Sequence, residues 1–113
     1  MTVTIYHNPR CAKSRQALTL LRDRGVEPTV VEYLKTPPSA LEMSRILDLL
    51  AMKPRQLMRR KEAKEAGLDD ADLSDDALIE GMVANPIVIE RPIVLSGGKA
   101  VLGRPPEKVI DIL

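Results

Sequence analysis

A chain of 113 residues, 44% hydrophobic and 29% charged, has the balance of one ordinary globular domain and can close a core without staples. A formal net charge of +1, no Trp or Phe and only two Tyr argue against nucleic-acid binding, which would want a basic excess or stacking aromatics. No apolar run approaches the roughly 18 residues of a spanning helix, MTVTIYHNP lacks the regions of a secretory signal, and one cysteine makes no internal disulfide, so a cytoplasmic protein is expected.

Thr2 to Tyr6, TVTIY, is β-branched and aromatic and is ended by Asn8-Pro9, which predicts a buried strand. From Cys11 to Arg24 there is no Gly or Pro, and Ala17, Leu18, Leu20 and Leu21 form an apolar stripe at helical spacing that Gly25 terminates. Thr29 to Leu34, TVVEYL, predicts a second strand, so the first third of the chain is a βαβ unit with parallel pairing. After Thr36-Pro37-Pro38 the character becomes helical. Ser39 with Glu42 is a capping box ahead of Met43, Ile46, Leu47 and Leu50. A shorter helix is predicted from Pro54 to about Ala66, and Ser74 caps another bearing Leu78, Ile79, Met82 and Val83. Strand signals return after Asn85-Pro86: Pro92 to Leu95 and Ala100 to Leu102 flank Ser96-Gly97-Gly98-Lys99, a hairpin turn. Pro105-Pro106-Glu107 opens a short terminal helix with Val109, Ile110 and Leu113. The expectation is one α/β domain, residues 1–113: a four-stranded mixed sheet with a helical insertion over about 38–84.

The stretch HNPRCAKSR contains the only histidine and the only cysteine. Cys11 falls where the first strand gives way to the first helix, and there free N–H groups and the helix dipole stabilise a thiolate. Ser14 and Arg15 lie one turn on, on the same helix face, offering a hydroxyl donor and a positive charge; Arg10 and Lys13 add to the local potential. A lone free cysteine is commonly a small core residue. Its place at a helix start among cations reverses that reading, and Cys11 is taken as a nucleophile. His7 could be a base, a ligand or a structural residue. With one His and one Cys a zinc site lacks its usual ligands, and support of the turn or tuning of the thiol is the reading adopted. The sequence shows Cys11-Ala12-Lys13-Ser14 in place of Cys-x-x-Cys, and Ala17 stands where a cysteine phosphatase loop would need Arg.

HNPRCAKSR, together with YLKTPPS, LMRRKE, NPIVIERPIVL and GRPPE in the same order, resembles the glutaredoxin-linked arsenate reductases of the ArsC family, in particular YfgD-like members. The resemblance spans essentially the whole chain. It implies a thioredoxin/glutaredoxin-like fold and a cis peptide bond before Pro92, which would face the thiol; sequence alone makes Pro92 only a strand-entry proline. It further implies that Cys11 attacks arsenate and that Arg59, Arg91 and Arg104 surround the oxyanion, with His7, Ser14 and Arg15 adjoining the thiol. LMRR offers Arg59 or Arg60 for the first of these, and Arg59 is preferred. Guanidinium groups suit the role, since they bind tetrahedral oxyanions bidentately. No bound cofactor is implied. Glutathione would be the co-substrate that reduces arsenic, and glutaredoxin the partner that takes glutathione over by thiol–disulfide exchange. A monomer is expected.

Two departures bear on the substrate. Ala12-Lys13 replaces the Gly-Thr often found after the nucleophile, and the chain ends at Leu113, short of the C-terminal extension of longer members. Two other readings stay open. One is an Spx-like regulator that binds a protein partner, although Ser14 occupies the second place of the Cys-x-x-Cys switch common there. The other is a glutathione-dependent thiol reductase that does not act on arsenate.

Overall fold

The computed structural model describes residues 2–113. Its packing falls into two compact units, one made of the chain up to Thr36 together with Arg91–Leu113, the other of Pro37–Glu90.

The first unit holds a four-stranded sheet in the order β2-β1-β3-β4. Strand β1 (Val3–His7) pairs in parallel with β2 (Thr29–Glu32) through the crossover helix α1 (Ala12–Asp23), and antiparallel with β3 (Ile93–Ser96). Strand β4 (Lys99–Leu102) closes the hairpin. Gly97 and Gly98 turn it with φ of 54° and 80°, a pair of left-handed conformations that side chains resist. Val3 and Ile5 point to one face of β1 and meet Ala17 and Leu21 of α1, Val94 of β3 and Val109 of the C-terminal 3-10 helix Pro106–Ile112. This core seats the start of α1 at the end of β1, where the thiol lies.

Three sequence expectations shift here. Strand β2 ends at Glu32 rather than Leu34, because the N–H groups of Lys35 and Thr36 both turn back onto the Glu32 carbonyl, at 3.0 and 2.9 Å. The terminal helix forms as a 3-10 helix. The strand signal after Asn85-Pro86 begins as a short 3-10 turn over Pro86–Val88, with regular pairing only from Ile93.

The second unit is helical. Helix α2 (Ala40–Leu50) carries the capping box as read: the Ser39 hydroxyl accepts from the Glu42 N–H at 3.1 Å, and the Glu42 carboxylate accepts from the Ser39 N–H. Helix α5 (Asp75–Ala84) is capped by Ser74 and packs against α2 and against α3 (Pro54–Leu57), burying Met43, Ile46, Leu47, Leu57, Leu78 and Met82. The helix expected from Pro54 to Ala66 is interrupted. Met58 is extended and bridges to Ile89, and the Arg59 N–H donates to the Val88 carbonyl at 2.8 Å, so α4 begins only at Arg60 (Arg60–Glu65). A tertiary strand-like pairing claims the N–H that would have continued the helix. Among the described residues no helix is long and apolar enough to cross a membrane.

Candidate active site

Cys11 is the N-cap of α1, with φ −92° and ψ 121°. The turn that delivers it is built by Asn8. The Asn8 carbonyl accepts from the Cys11 N–H at 3.0 Å, and its side-chain oxygen accepts from the Arg10 N–H at 3.0 Å. Asn8-Pro9, which the sequence marks as the end of the strand, thus also forms the turn that presents the thiol, with the Asn8 side chain bracing it. An N-cap cysteine offers no oxygen to the free N–H groups of the first turn, which are therefore available to its sulfur.

The thiol is buried, and burial pushes its pKa up. That effect is outweighed by the backbone N–H of Ser14, a hydrogen bond and the charge of Arg91, and the backbone N–H of Lys13, so the thiol lies below its ordinary value. The peptide N–H groups of the helix start, to which the sequence pointed, lower the thiol pKa, but the charge comes from elsewhere. The cation at work is Arg91, brought from the loop entering β3, and Lys13 contributes its peptide N–H rather than its ammonium. Arg15 donates instead to the Pro9 carbonyl at 2.9 Å, tying the turn, and its charge bears on His7.

Ser14 is fully buried, and its hydroxyl belongs to the turn. It is hydrogen-bonded to His7 Nδ1 at 2.6 Å and accepts from the Asn8 N–H at 3.0 Å. Its backbone N–H, not the hydroxyl expected from the sequence, is what the thiol meets among the causes of its lowered pKa. His7 is buried and held below the usual imidazole value. Burial dominates, Glu32 opposes it, and Arg22 and Arg15 reinforce it. Through the Ser14 hydroxyl the imidazole links the end of β1 to α1.

Arg91 is buried and its peptide bond to Pro92 is cis, as the resemblance implied; a second cis bond joins Arg104 to Pro105. Arg104 is half-buried, and its Nε donates to the Arg91 carbonyl at 2.8 Å. In the first unit the turn joins His7, Ser14 and Arg15, Arg91 bears on Cys11, and Arg104 is tied to the Arg91 carbonyl. Arg59 belongs to the helical unit. There it is half-buried at the start of α4 and paired with Glu62 at 3.4 Å, whereas Arg60 is exposed.

A βαβ unit followed by a β-hairpin, a cis-proline at the entry to β3 and an activated thiol capping the first helix together define a thioredoxin-like thiol protein. A family model described as the ArsC family matches residues 6–112, and the chain belongs to that family. Its relatives include YfgD of Escherichia coli K12, 54% identical over 98% of this chain and 96% of that one. An arsenate reductase of Rhizobium meliloti is 47% identical over all of this chain and 82% of its own length. Among solved structures, an arsenate reductase from Vibrio cholerae superposes with a TM-score of 0.96 at 50% identity, covering 100% of this chain and 98% of that one.

Proposed function

We propose that the protein is an arsenate reductase that draws its electrons from glutathione and glutaredoxin. The observation that carries this reading is the Cys11 thiol, held below its ordinary pKa by the Ser14 N–H and the Arg91 guanidinium, in a chain whose relatives include proteins named arsenate reductase. The thiolate attacks arsenic in arsenate, an As–S bond forms and hydroxide leaves, taking a proton to become water. Glutathione adds its sulfur to the same arsenic with loss of a second water. The glutaredoxin thiolate then attacks the glutathione sulfur. The mixed disulfide departs, the electron pair of the As–S(glutathione) bond stays on arsenic, and As(V) becomes As(III). Hydrolysis of the remaining bond frees arsenite and Cys11. Arg91 and Arg104 bind the oxyanion and steady the charge on its oxygens, and the family resemblance gives Arg59 the third such place. His7, Ser14 and Arg15 hold the turn that presents the sulfur.

Ser14 in place of a second cysteine means that the resolving thiol comes from another molecule. No resident cofactor or metal takes part, and the cycle is assigned to a monomer in the cytoplasm. The test is arsenate-dependent NADPH oxidation coupled through glutathione, glutaredoxin and glutathione reductase. Turnover with the parent and none with Cys11→Ser is expected. Equal turnover by Cys11→Ser would overturn the mechanism, and arsenite production without glutathione would overturn the electron source.

A further inference from the structure

The segment that carries Arg91 to the thiol is gripped from the end of β4. The Gly103 N–H donates to the Pro92 carbonyl at 2.8 Å, one step beyond the Ile93–Leu102 pair of the ladder, and Arg104 Nε donates to the Arg91 carbonyl at 2.8 Å. Gly103 is buried and is not among the glycines with positive φ, so its backbone conformation alone would accept an alanine. Space would not. A Cβ at Gly103 would lie 2.8 Å from Cγ of Pro92, 3.4 Å from its Cδ and 3.1 Å from Cγ1 of Val109.

Neither neighbour can swing aside as a long side chain would. The Pro92 ring is closed onto its own backbone, and Val109 is fully buried in the core of the sheet unit. The softer response is displacement of Pro92, and with it the Arg91–Pro92 peptide, relative to α1. We propose that Gly103 is a positioning residue: by admitting the Pro92 ring against its bare Cα, it sets the approach of the Arg91 guanidinium to the sulfur of Cys11. Because a hydrogen bond weakens steeply with misalignment, a shift of a few tenths of an ångström at Pro92 reaches the thiol. The inference concerns activation of the thiol and holds whichever oxyanion or thiol substrate the protein uses.

The experiment is the pH profile of Cys11 alkylation by iodoacetamide, a neutral probe, in four proteins: the parent, Gly103→Ala, Gly103→Ala/Val109→Ala and Gly25→Ala. Gly25 has φ +78° and no atom within 4 Å of a built Cβ, so its alanine variant strains the backbone without crowding anything. It should lower the urea midpoint and leave the alkylation profile in place. Gly103→Ala should move the profile upward by about 0.5–1 pH unit, a loss of roughly 3–10-fold in thiolate at neutral pH. The double variant, with room opened on the Val109 side, should fall between. A folded Gly103→Ala protein that keeps the parental profile overturns the proposal, as does a profile in Gly25→Ala displaced as far as in Gly103→Ala. If Gly103→Ala does not fold, the double variant decides: an upward displacement supports the positioning role and a parental profile overturns it.

Discussion

Replacing Ser14 by alanine separates the hydroxyl of this residue from its peptide N–H. The hydroxyl is fully buried and serves two partners, His7 Nδ1 at 2.6 Å and the Asn8 N–H at 3.0 Å, themselves in buried residues. Alanine leaves both buried polar groups in place without their common partner. Each orphaned buried group costs about 1–3 kcal/mol, so with two of them Ser14→Ala should lose about 2–6 kcal/mol of stability. With a urea dependence of about 2 kcal/mol per molar, the midpoint falls by about 1–3 M. The thiol should behave differently. The Ser14 N–H and the Arg91 guanidinium that hold its pKa down are both retained, so alkylation of the folded variant should still mark a thiol more acidic than a free one. Urea titration followed by circular dichroism, with alkylation below the unfolding onset, reads both quantities. An unchanged midpoint would refute the structural role of the hydroxyl, and a folded variant whose thiol titrates as a free one would show that the hydroxyl acts on sulfur directly.

Arg91→Lys keeps a charge but loses the guanidinium fork; the thiol pKa should rise, and the alkylation rate at pH 7 should drop, with a larger drop for Arg91→Ala. Cys11 itself links stability to pH. Its folded pKa is below the ordinary 9.0, so between the two values the unfolded chain binds more protons. The stabilisation is complete above pH 9.0 and is lost as pH falls through the folded pKa; the stability of the parent relative to Cys11→Ser, from urea titrations across this range, should therefore grow with pH. His7 is likewise depressed, so stability should fall as pH drops below the ordinary 6.5 towards its folded pKa, and His7→Gln should flatten that part of the profile. Leu21→Ala, at a fully buried site between α1 and the sheet, should cost about 2–5 kcal/mol in the same titration.

Much of the architecture is written in local pattern. The β-branched and aromatic run at Thr2 to Tyr6, the uninterrupted stripe of α1, the Ser39–Glu42 box and the Gly97-Gly98 turn each specify their element by covalent or near-neighbour physics. Those elements appear within a residue of where the sequence placed them, β1 running Val3–His7. The interrupted helix around Met58 does not follow this rule. Its residues have no breaker, and only the long-range partner Ile89 draws them into an extended pair.

The division is sharper at the thiol. That Cys11 sits at a helix start, with free peptide N–H groups facing it, was legible because strand, turn and helix are consecutive in the chain. Which charge stabilises it was not legible in local spacing; only the family resemblance named Arg91. Local spacing pointed to Arg10, Lys13 and Arg15, all exposed, where water screens a charge and competes for its hydrogen bonds. The buried Arg91 acts instead, and it reaches the sulfur only because β3 pairs antiparallel with β1 and delivers its leading loop to the end of β1 where α1 begins. Likewise the hydroxyl of Ser14 is spent on His7 and Asn8, a distribution decided by the geometry of the closed turn and not by the i+3 spacing alone. The sequence by itself determined that one thiol would cap α1. The tertiary structure decided which groups hold its charge, because burial and strand pairing, which no local spacing encodes, select the partners that water cannot screen.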